Sequence, residues 1–465
     1  MSIPPVGIFT LVVGILCLIS GYRATAIAFG VMTIFGGAAA VMIGGAGIQP
    51  GHLFVGFLAL ATLSYREKMK VALDALAFPQ PAFWLLCLLT YGVLAGFFAP
   101  RLWAETMNII PLGSSEYPET GGAVPLGPVS SNLTQAIYNT ANIVTFVMIV
   151  AMASTMAGFR AATGTVLAFS SANLLFGIAD LVTYGTPIQE LFSYIRNAPY
   201  AFHDEAIVAG VKRVVGSWPE ASTFAGVSLG VVGFAGTMRI CGRYSKLTGF
   251  LFLLTSIMVI RSTSSAGLFG LPVCLAILYM TCFFRCGGQS GTRISGGVVL
   301  FAPIILVLIG MMIVMNEDLF RQLYAYFDLL LFSKANSASG IERGMWNAYG
   351  WSNFINSYGL GVGLGTSRTS SFIIALLSNV GIPGVIFFGL FFLSAFYTRR
   401  GTPRTFDSDV RLAGRNGCLC LLIGASVSGS TVDTGLLFFV MAGLATAVPA
   451  EERETSCAPP VPAHA

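Results

Sequence analysis

Charged residues are scarce in this chain, where Asp, Glu, Lys and Arg together make up 10% of the 465 residues. Soluble domains carry about 25% charged residues, so a water-facing surface of the ordinary kind cannot be built from this sequence. Hydrophobic residues make up 55% of it, and the mean hydropathy is +0.79. The shortage of charge therefore excludes a soluble globular protein and predicts a membrane protein.

Histidine is also rare, with 3 in the chain, and no His, Asp or Glu residues stand at metal-ligand spacing. None of the nine cysteines lies in a long loop between apolar runs, and Cys282-x3-Cys286 and Cys418-x-Cys420 lack the paired spacing of a zinc site. Nucleotide-binding loops, Ser-His-Asp patterns, nucleic-acid motifs and internal repeats are not evident either. We therefore expect no metal, no cofactor, no disulfide and no nucleic-acid partner.

Apolar runs of about 20 residues recur along the chain, as membrane-spanning helices require. A transmembrane β-barrel would need alternating segments of about 10 residues, whereas the runs here are continuous. The expected spans are 6–21, 24–45, 51–65, 81–99, 138–158, 162–184, 222–238, 247–261, 265–284, 296–315, 371–396, 416–429 and 431–449. The sequence therefore predicts an all-α polytopic membrane protein with about 12–13 transmembrane helices in a single domain, residues 1–449.

Basic residues concentrate in loops that are separated from one another by even numbers of spans, so these loops can share the cytoplasmic side. They are Arg66, Lys68, Lys70, Arg239, Arg243, Lys246, Arg285, Arg293, Arg399, Arg400, Arg404, Arg411 and Arg415. The remaining loops, about 100–137, 185–221 and 316–370, are then expected to face the periplasm. The tail, 450–465, is expected to be disordered and cytoplasmic. We interpret the net charge of +5 as a sign of orientation in the bilayer.

Arginines recur in three segments on the predicted outer side, beside hydroxyls, carboxylates and glycines. Guanidinium groups stay protonated and offer planar, bidentate donors to phosphate oxygens. A carboxylate can deprotonate a sugar hydroxyl, and aromatic rings offer apolar faces to sugars. The candidates are Lys212, Arg213, Trp218 and Glu220; then Arg261 and Ser264; then Ser339, Glu342, Arg343, Trp346, Gly363, Gly365 and Arg368.

Structural readings of these residues remain open. Arginines at helix ends commonly extend to lipid headgroups, which is an alternative for Arg261. Acidic residues balance basic ones in segment 316–370, and glycine is common in membrane proteins, so Gly363 is weak evidence of a site. Asp180 and Asp433 lie within or near apolar spans, where a carboxylate is either functional or capped by neighbouring hydroxyls.

Three motifs resemble a known family when they are taken in chain order. The run Ser339-Gly-Ile-Glu342-Arg343, then Gly361-Val-Gly363-Leu-Gly365, then Asn379-Val-Gly381-Ile-Pro383-Gly384 resembles the signature region of the O-antigen polymerase and ligase superfamily. The element Gly216-Ser-Trp218-Pro219-Glu220-Ala-Ser222-Thr-Phe224-Ala225 resembles one seen in its exopolysaccharide polymerases. Arg261-Ser-Thr-Ser264-Ser265-Ala-Gly267 is similar to the serine-rich turn that follows it.

The resemblance implies a GT-C-like membrane fold in the bacterial inner membrane, with a large periplasmic loop late in the chain. It implies a glycosyltransferase that polymerises undecaprenyl-diphosphate-linked oligosaccharides, both as donor and as acceptor, without a metal. A chain-length-regulating copolymerase is an expected partner. The expected catalytic residues are Arg213, Glu220, Arg261, Glu342 and Arg343. The expected substrate-binding residues are Lys212, Trp218, Ser264, Ser339, Trp346, Gly363, Gly365 and Arg368.

One departure favours a polymerase over a ligase. Ligases of the superfamily usually have a histidine shortly after the glycine-rich stretch, and here the sequence reads Gly365-Thr-Ser-Arg368-Thr-Ser-Ser-Phe. A ligase that transfers finished glycan to an acceptor stays an alternative. A transporter or flippase of lipid-linked sugar is another, although it should show internal repeats and charged residues in mid-span, and neither is prominent.

Overall fold

The structure is a computed structural model, and it describes residues 2–43, 46–112, 122–198, 207–208, 210–287 and 291–450. These residues are predominantly α-helical. The α-helices, labelled in chain order, are α1 (Pro5–Ser20), α2 (Tyr22–Met32), α3 (Pro50–Leu63), α4 (Arg66–Ala75), α5 (Pro81–Leu102), α6 (Ser131–Met152), α7 (Met156–Val182), α8 (Ala221–Ile240), α9 (Ser245–Arg261), α10 (Ser265–Cys286), α11 (Arg293–Met315), α12 (Glu317–Phe327), α13 (Ala338–Asn356), α14 (Phe372–Phe396), α15 (Phe406–Ser428) and α16 (Leu436–Thr446).

Short elements occupy the connections between these helices. Three antiparallel hairpins pair β1 (Val41–Ile43) with β2 (Ala46–Ile48), β3 (Asn108–Ile109) with β4 (Val124–Pro125), and β5 (Ile207–Val208) with β6 (Val211–Lys212). The 3-10 helices are Pro187–Tyr194 and Ser333–Asn336, and a π-helical turn covers Asp328–Phe332. The connections expected to face one side of the membrane, 100–137, 185–221 and 316–370, thus carry structure of their own.

Eight helices of the described chain are long and apolar enough to cross a membrane, namely α5, α6, α7, α8, α10, α11, α14 and α15. Three shorter apolar helices, α1, α3 and α16, accompany them. Each of the expected spans overlaps a helix, so the apolar runs located the helices correctly. The chain is an all-α polytopic membrane protein.

The core of the bundle surrounds α16, in which every residue from Leu436 to Thr446 is buried. A helix that is apolar on all sides belongs in the interior of a large bundle. Helices α6, α7, α14 and α15 pack around it, and Phe438 of α16 contacts the ring of Phe391 of α14. By contrast, no residue in the most apolar stretch of α11 is buried, so α11 presents apolar side chains outward, as lipid contact requires.

The expected span 24–45 was too long, because α2 ends at Met32 and β1 follows at Val41. The intervening chain packs tightly against the segment that precedes α8. Gly37 N donates to Ser217 O at 2.9 Å, and a Cβ on Gly36 would lie 2.3 Å from the Trp218 ring. The apolar residues that resembled a helix thus form a series of turns that is buried against another loop.

The expected span 416–429 was too short, because α15 begins at Phe406. Its first turns carry charges that hydropathy penalises but that the fold pairs internally. Arg411 contacts Asp407 at 2.8 Å, and the buried carboxylate of Asp409 accepts from Arg243 at 2.8 Å and from Arg285 at 3.1 Å. Residues expected in a cytoplasmic loop therefore continue a helix. Of the expected tail, residues 451–465 lie outside the described part of the chain.

Candidate functional site

The first turn of α8 lies beside α13, in the connection 316–370. Glu220 precedes α8, and the Ser222 hydroxyl donates to its carboxylate. Arg343 of α13, 123 positions further along the chain, donates from one guanidinium nitrogen to Glu220 Oε2 at 3.4 Å and to Ser222 Oγ at 3.5 Å. The side chains of Arg343 and Glu220 are 29% and 31% exposed, so this ion pair is open to a ligand.

Two further arginines interact electrostatically with the same carboxylate. Burial lowers the pKa of the Arg213 guanidinium, with Glu220 opposing that shift and Arg343 adding to it. Burial lowers the pKa of Arg368 as well, with the carboxylates of Glu220 and Glu342 opposing and Arg343 adding to it. We call Arg213, Arg343, Arg368 and Glu220 the arginine cluster. Its guanidinium groups come from three separate stretches of sequence.

The charge balance of this cluster favours an anionic ligand. Three guanidinium groups interact with the carboxylate of Glu220, and one of them, that of Arg368, also interacts with the exposed carboxylate of Glu342. The surplus positive charge is partly buried, and a desolvated cation is stabilised by an anion with several acceptor oxygens. A phosphate or diphosphate is such an anion, and planar guanidinium groups match its geometry.

Arg368 is held in position by stacking and by backbone contacts. Its guanidinium carbon lies 3.7 Å from the centre of the Trp346 ring, and its backbone N–H donates to Ile110 O at 2.7 Å. The following Ser370 N–H donates to Asn347 Oδ1 at 2.8 Å, which ties the segment to α13. Trp346 and Arg343 lie on successive turns of α13. This helix therefore carries Arg343 and, through Trp346, also positions Arg368.

The glycine-rich stretch before Arg368 is a buried, irregular segment packed between helices. Its backbone pairs with the interrupted part of α14, where Gly381 has φ +58°. Gly363 N donates to Asn379 O at 2.9 Å, and Ile382 N donates to Gly359 O at 2.8 Å. Non-helical backbone inside a membrane protein is tolerated where protein groups satisfy it. The two motifs, 361–365 and 379–384, thus form one structural unit.

Gly363 and Gly365 are explained by this packing. Both have positive φ, +105° and +79°, in the region that favours glycine. A Cβ on Gly363 would lie 2.6 Å from Gly96 Cα of α5, and one on Gly365 would lie 2.5 Å from Ser131 O of α6. The structure therefore places these two residues against neighbouring helices and not among the arginine side chains.

Lys212 and Trp218 also face the interior. Lys212 Nζ contacts the carboxylate of Asp180 at 2.6 Å, and its side chain is 4% exposed. Trp218 Nε1 donates to Asn173 Oδ1 at 2.8 Å, and the residue is buried. Both residues were expected to bind substrate, and both instead have buried polar partners within the bundle.

Arg261 and Ser264 lie in the turn between α9 and α10, beside the segment that carries Arg213. Arg261 donates to the carbonyl of Lys212, while Arg213 Nε donates to Ser262 O at 3.3 Å. Ser264 is buried, and its hydroxyl has no partner among the described residues. This turn therefore supports Arg213. Ser339, near the start of α13, is exposed.

Asp180 anchors the loop that carries Arg213 and Glu220. Besides Lys212, its carboxylate accepts from Arg196 at 2.7 Å and from the backbone N–H groups of Val215 and Gly216 at 2.9 Å and 3.1 Å. The sequence identified Asp180 as a buried carboxylate but offered no signal for Arg196. In the structure, Asp180 fixes the loop before α8.

Asp433 belongs to a second polar group, near the start of α16. Its carboxylate accepts from Asn142 Nδ2 and from Gly435 N, each at 2.7 Å. His52 is buried and stacked on Tyr138 with ring centres 4.1 Å apart, and neither ring nitrogen has a partner among the described residues. No local sequence pattern singles out His52.

Comparison with known proteins adds no family to this geometry. No protein-family model matches the chain, and no curated protein sequence matches it. Glu342 and Trp346 lie beside the arginine cluster, next to Arg368.

Proposed function

We propose that this chain is a membrane glycosyltransferase that polymerises lipid-linked oligosaccharide repeat units. The observation that carries the proposal is the ion pair of Arg343 with Glu220 at the start of α8, with Arg213 and Arg368 near enough to interact electrostatically with the same carboxylate. A donor linked through a lipid diphosphate presents its anion near the membrane surface, and the arginine cluster lies at the end of the long apolar helix α8. The undecaprenyl diphosphate identity of the lipid rests on the motif resemblance.

The distribution of charge supports a periplasmic location for this site. Helix α8 begins beside Glu220 and ends with Arg239 in its last turn. Beyond that end, Arg243, Arg285 and Asp409 form an ion-pair network. Cytoplasmic ends of membrane proteins are enriched in Lys and Arg, so the opposite end, with the arginine cluster, faces outward. In a bacterial inner membrane, outward is the periplasm.

The chemistry assigned to the site is a single displacement with inversion. A hydroxyl oxygen of the acceptor sugar forms a bond to the anomeric carbon of the donor. The bond from that carbon to the diphosphate oxygen breaks, and this oxygen keeps the electron pair. Arg213, Arg343 and Arg368 stabilise the negative charge that develops on this oxygen. Electrostatic stabilisation of this kind is usually the largest single contribution to catalysis. The hydroxyl proton passes to a carboxylate of the enzyme.

The two carboxylates differ in suitability for that proton transfer. Glu220 is engaged by Ser222 and Arg343, so it suits the positioning of the guanidinium groups. Glu342 is exposed and forms no ion pair with any described residue. We therefore assign the base to Glu342 and the positioning role to Glu220. Trp346, stacked under Arg368, offers its edge to a sugar ring.

The test compares lipid-linked glycans in a deletion strain complemented with wild type, Arg343→Ala or Arg321→Ala. Arg321 is the matched control, because it lies in the same connection, on α12. Its side chain is 75% exposed and, among the described residues, pairs with Glu317 alone, at 3.2 Å. Wild type and Arg321→Ala should give long chains, whereas Arg343→Ala and the deletion should stall at one repeat unit.

Two outcomes count against the proposal. The first is the presence of long lipid-linked chains in the deletion strain. These chains would place polymerisation in another protein, and their failure to be ligated would assign ligation to this one. Normal chain length with Arg343→Ala, at equal protein level in the membrane, would remove the arginine cluster from the site. The GT-C-like fold and the copolymerase partner stay proposals that rest on the motif resemblance.

A further inference from the structure

A groove opens between α10 and α15 at the end of the bundle opposite the arginine cluster. Its volume is about 680 Å³. It extends from Arg285, at the end of α10, past Thr281 to Val273, about three helical turns along α10. Its apolar wall consists of Val273, Ala276, Ile277, Met280, Leu412 and Leu419. The groove is long and apolar enough to hold a hydrocarbon chain lying along the helices.

Three arginines line the same groove, namely Arg285, Arg404 and Arg415. Arg404 is exposed at the groove mouth, in the connection before α15. Arg415 lies on α15, and its Nε is buried without a hydrogen-bond partner among the described residues. The Nε of Arg285 has none either. Arg415 lines the groove and forms no ion pair with a described residue, so an anion in the groove would supply the counter-charge that this partly buried cation lacks.

The carboxylates near this groove are already occupied. Asp409 is 3% exposed and accepts from Arg243 and Arg285, and Asp407 is paired with Arg411 at 2.8 Å. No described residue that lines the groove carries a carboxylate. The local charge is therefore positive, and an anion from outside the chain is the complement that remains.

We propose that this groove binds an anionic glycerophospholipid of the cytoplasmic leaflet. The phosphate lies against Arg415 and Arg404, and one acyl chain follows the apolar wall along α10 and α15. Basic pockets between transmembrane helices on the cytoplasmic side recognise anionic headgroups, and guanidinium groups suit phosphate. The apolar wall favours a lipid over a free phosphate, because a free phosphate has nothing to bury there.

The bound lipid would stabilise the packing of three helices. Asn416, next to Arg415, donates to Thr237 of α8 and to Thr281 of α10, each at 2.9 Å. A ligand that binds the folded state alone raises its stability, and the gain grows with the logarithm of ligand concentration above Kd. This inference concerns the opposite end of the bundle from the arginine cluster and does not depend on the proposed glycosyl transfer.

The test measures thermal stability of the purified full-length chain in detergent while dioleoyl phosphatidylglycerol or dioleoyl phosphatidylcholine is added. Native mass spectrometry of the same samples counts bound lipids. We expect phosphatidylglycerol to raise Tm and to remain bound, and phosphatidylcholine to do neither at the same concentration. Removing one arginine from such a site should weaken phosphatidylglycerol binding about fivefold.

Two variants and one control separate the groove from general charge effects. Arg415→Gln removes the buried guanidinium, and Ala276→Phe fills the apolar wall without changing charge. Arg399→Gln removes an exposed arginine from the same side of the membrane, outside the groove. Both groove variants should show a smaller phosphatidylglycerol-dependent rise in Tm than wild type at the same lipid concentration, and the control should keep the full rise.

Three results would overturn the proposal. The first is equal weakening by Arg399→Gln and Arg415→Gln, which would mean attraction by surface charge alone. The second is equal stabilisation by phosphatidylcholine, which would remove the requirement for an anion. The third is stabilisation by glycerol 3-phosphate at the concentration that suffices for phosphatidylglycerol, which would make the acyl chain irrelevant.

Discussion

The replacement Asp180→Asn tests what holds the loop before α8. In the native protein, the fully buried carboxylate compensates the charges of Lys212 and Arg196, whose side chains are each 4% exposed. It also accepts hydrogen bonds from the backbone N–H groups of Val215 and Gly216. The amide keeps the shape of the carboxylate but not its charge, so Lys212 and Arg196 each lose their ion pair with residue 180.

The expected loss is large because a buried ion pair that loses one partner costs about 3–5 kcal/mol. Titration of the detergent-solubilised protein with SDS measures the free energy of unfolding. Asp318→Asn is the matched control, since Asp318 is exposed on α12, and it should change stability by less than about 0.5 kcal/mol. Adding Lys212→Met to Asp180→Asn should restore part of the loss. A change below about 1 kcal/mol for Asp180→Asn alone would refute the anchoring role.

Three further replacements test the glycine-rich unit and the arginine cluster. Gly363→Ala should cost at least about 1–3 kcal/mol in SDS unfolding, because of its positive φ and close contacts, whereas Gly389→Ala, with open space around it, should not. Asn379→Ala should cost about 1–3 kcal/mol for each buried backbone group left unsatisfied, and the exposed Asn356→Ala much less. Arg368→Lys should lower chain extension about tenfold at unchanged protein level, because lysine lacks the planar donors and the stacked ring contact; unchanged extension would contradict that role.

Hydropathy located the helices because the length of an apolar run is a direct physical requirement for crossing a membrane. Hydropathy misplaced helix boundaries where tertiary contacts decide whether a charged or an apolar stretch is helical. Helix α15 begins ten residues before the expected span because its buried charges are paired. Asp409 pairs with Arg243 and Arg285, which are distant in sequence, and Asp407 pairs with Arg411 one turn further along the same helix. Hydropathy failed in the opposite direction after Met32, where apolar chain is buried without being helical.

The candidate site was predictable in residue type but not in arrangement. Lys212 and Arg213 are neighbours in sequence, yet successive side chains of extended backbone point to opposite sides. Lys212 therefore faces Asp180 in the interior, while Arg213 faces Ser262 and the arginine cluster. The convergence of Arg343 on Glu220 spans 123 positions and is set by how α13 packs, which no local pattern reports.

The Asp180 replacement also separates the anchoring of the site from its chemistry. Val215 and Gly216 lie between Arg213 and Glu220, so release of their N–H groups by Asp180→Asn displaces both ends of one loop. Chain extension should then fall in Asp180→Asn and recover in part when Lys212→Met restores stability. Arg343→Ala should show no such recovery, because in the proposed mechanism the guanidinium that it removes binds the reacting anion itself. If Asp180→Asn extends chains normally despite reduced stability, the loop is not needed in its native position, and Arg213 would have to be removed from the proposed site.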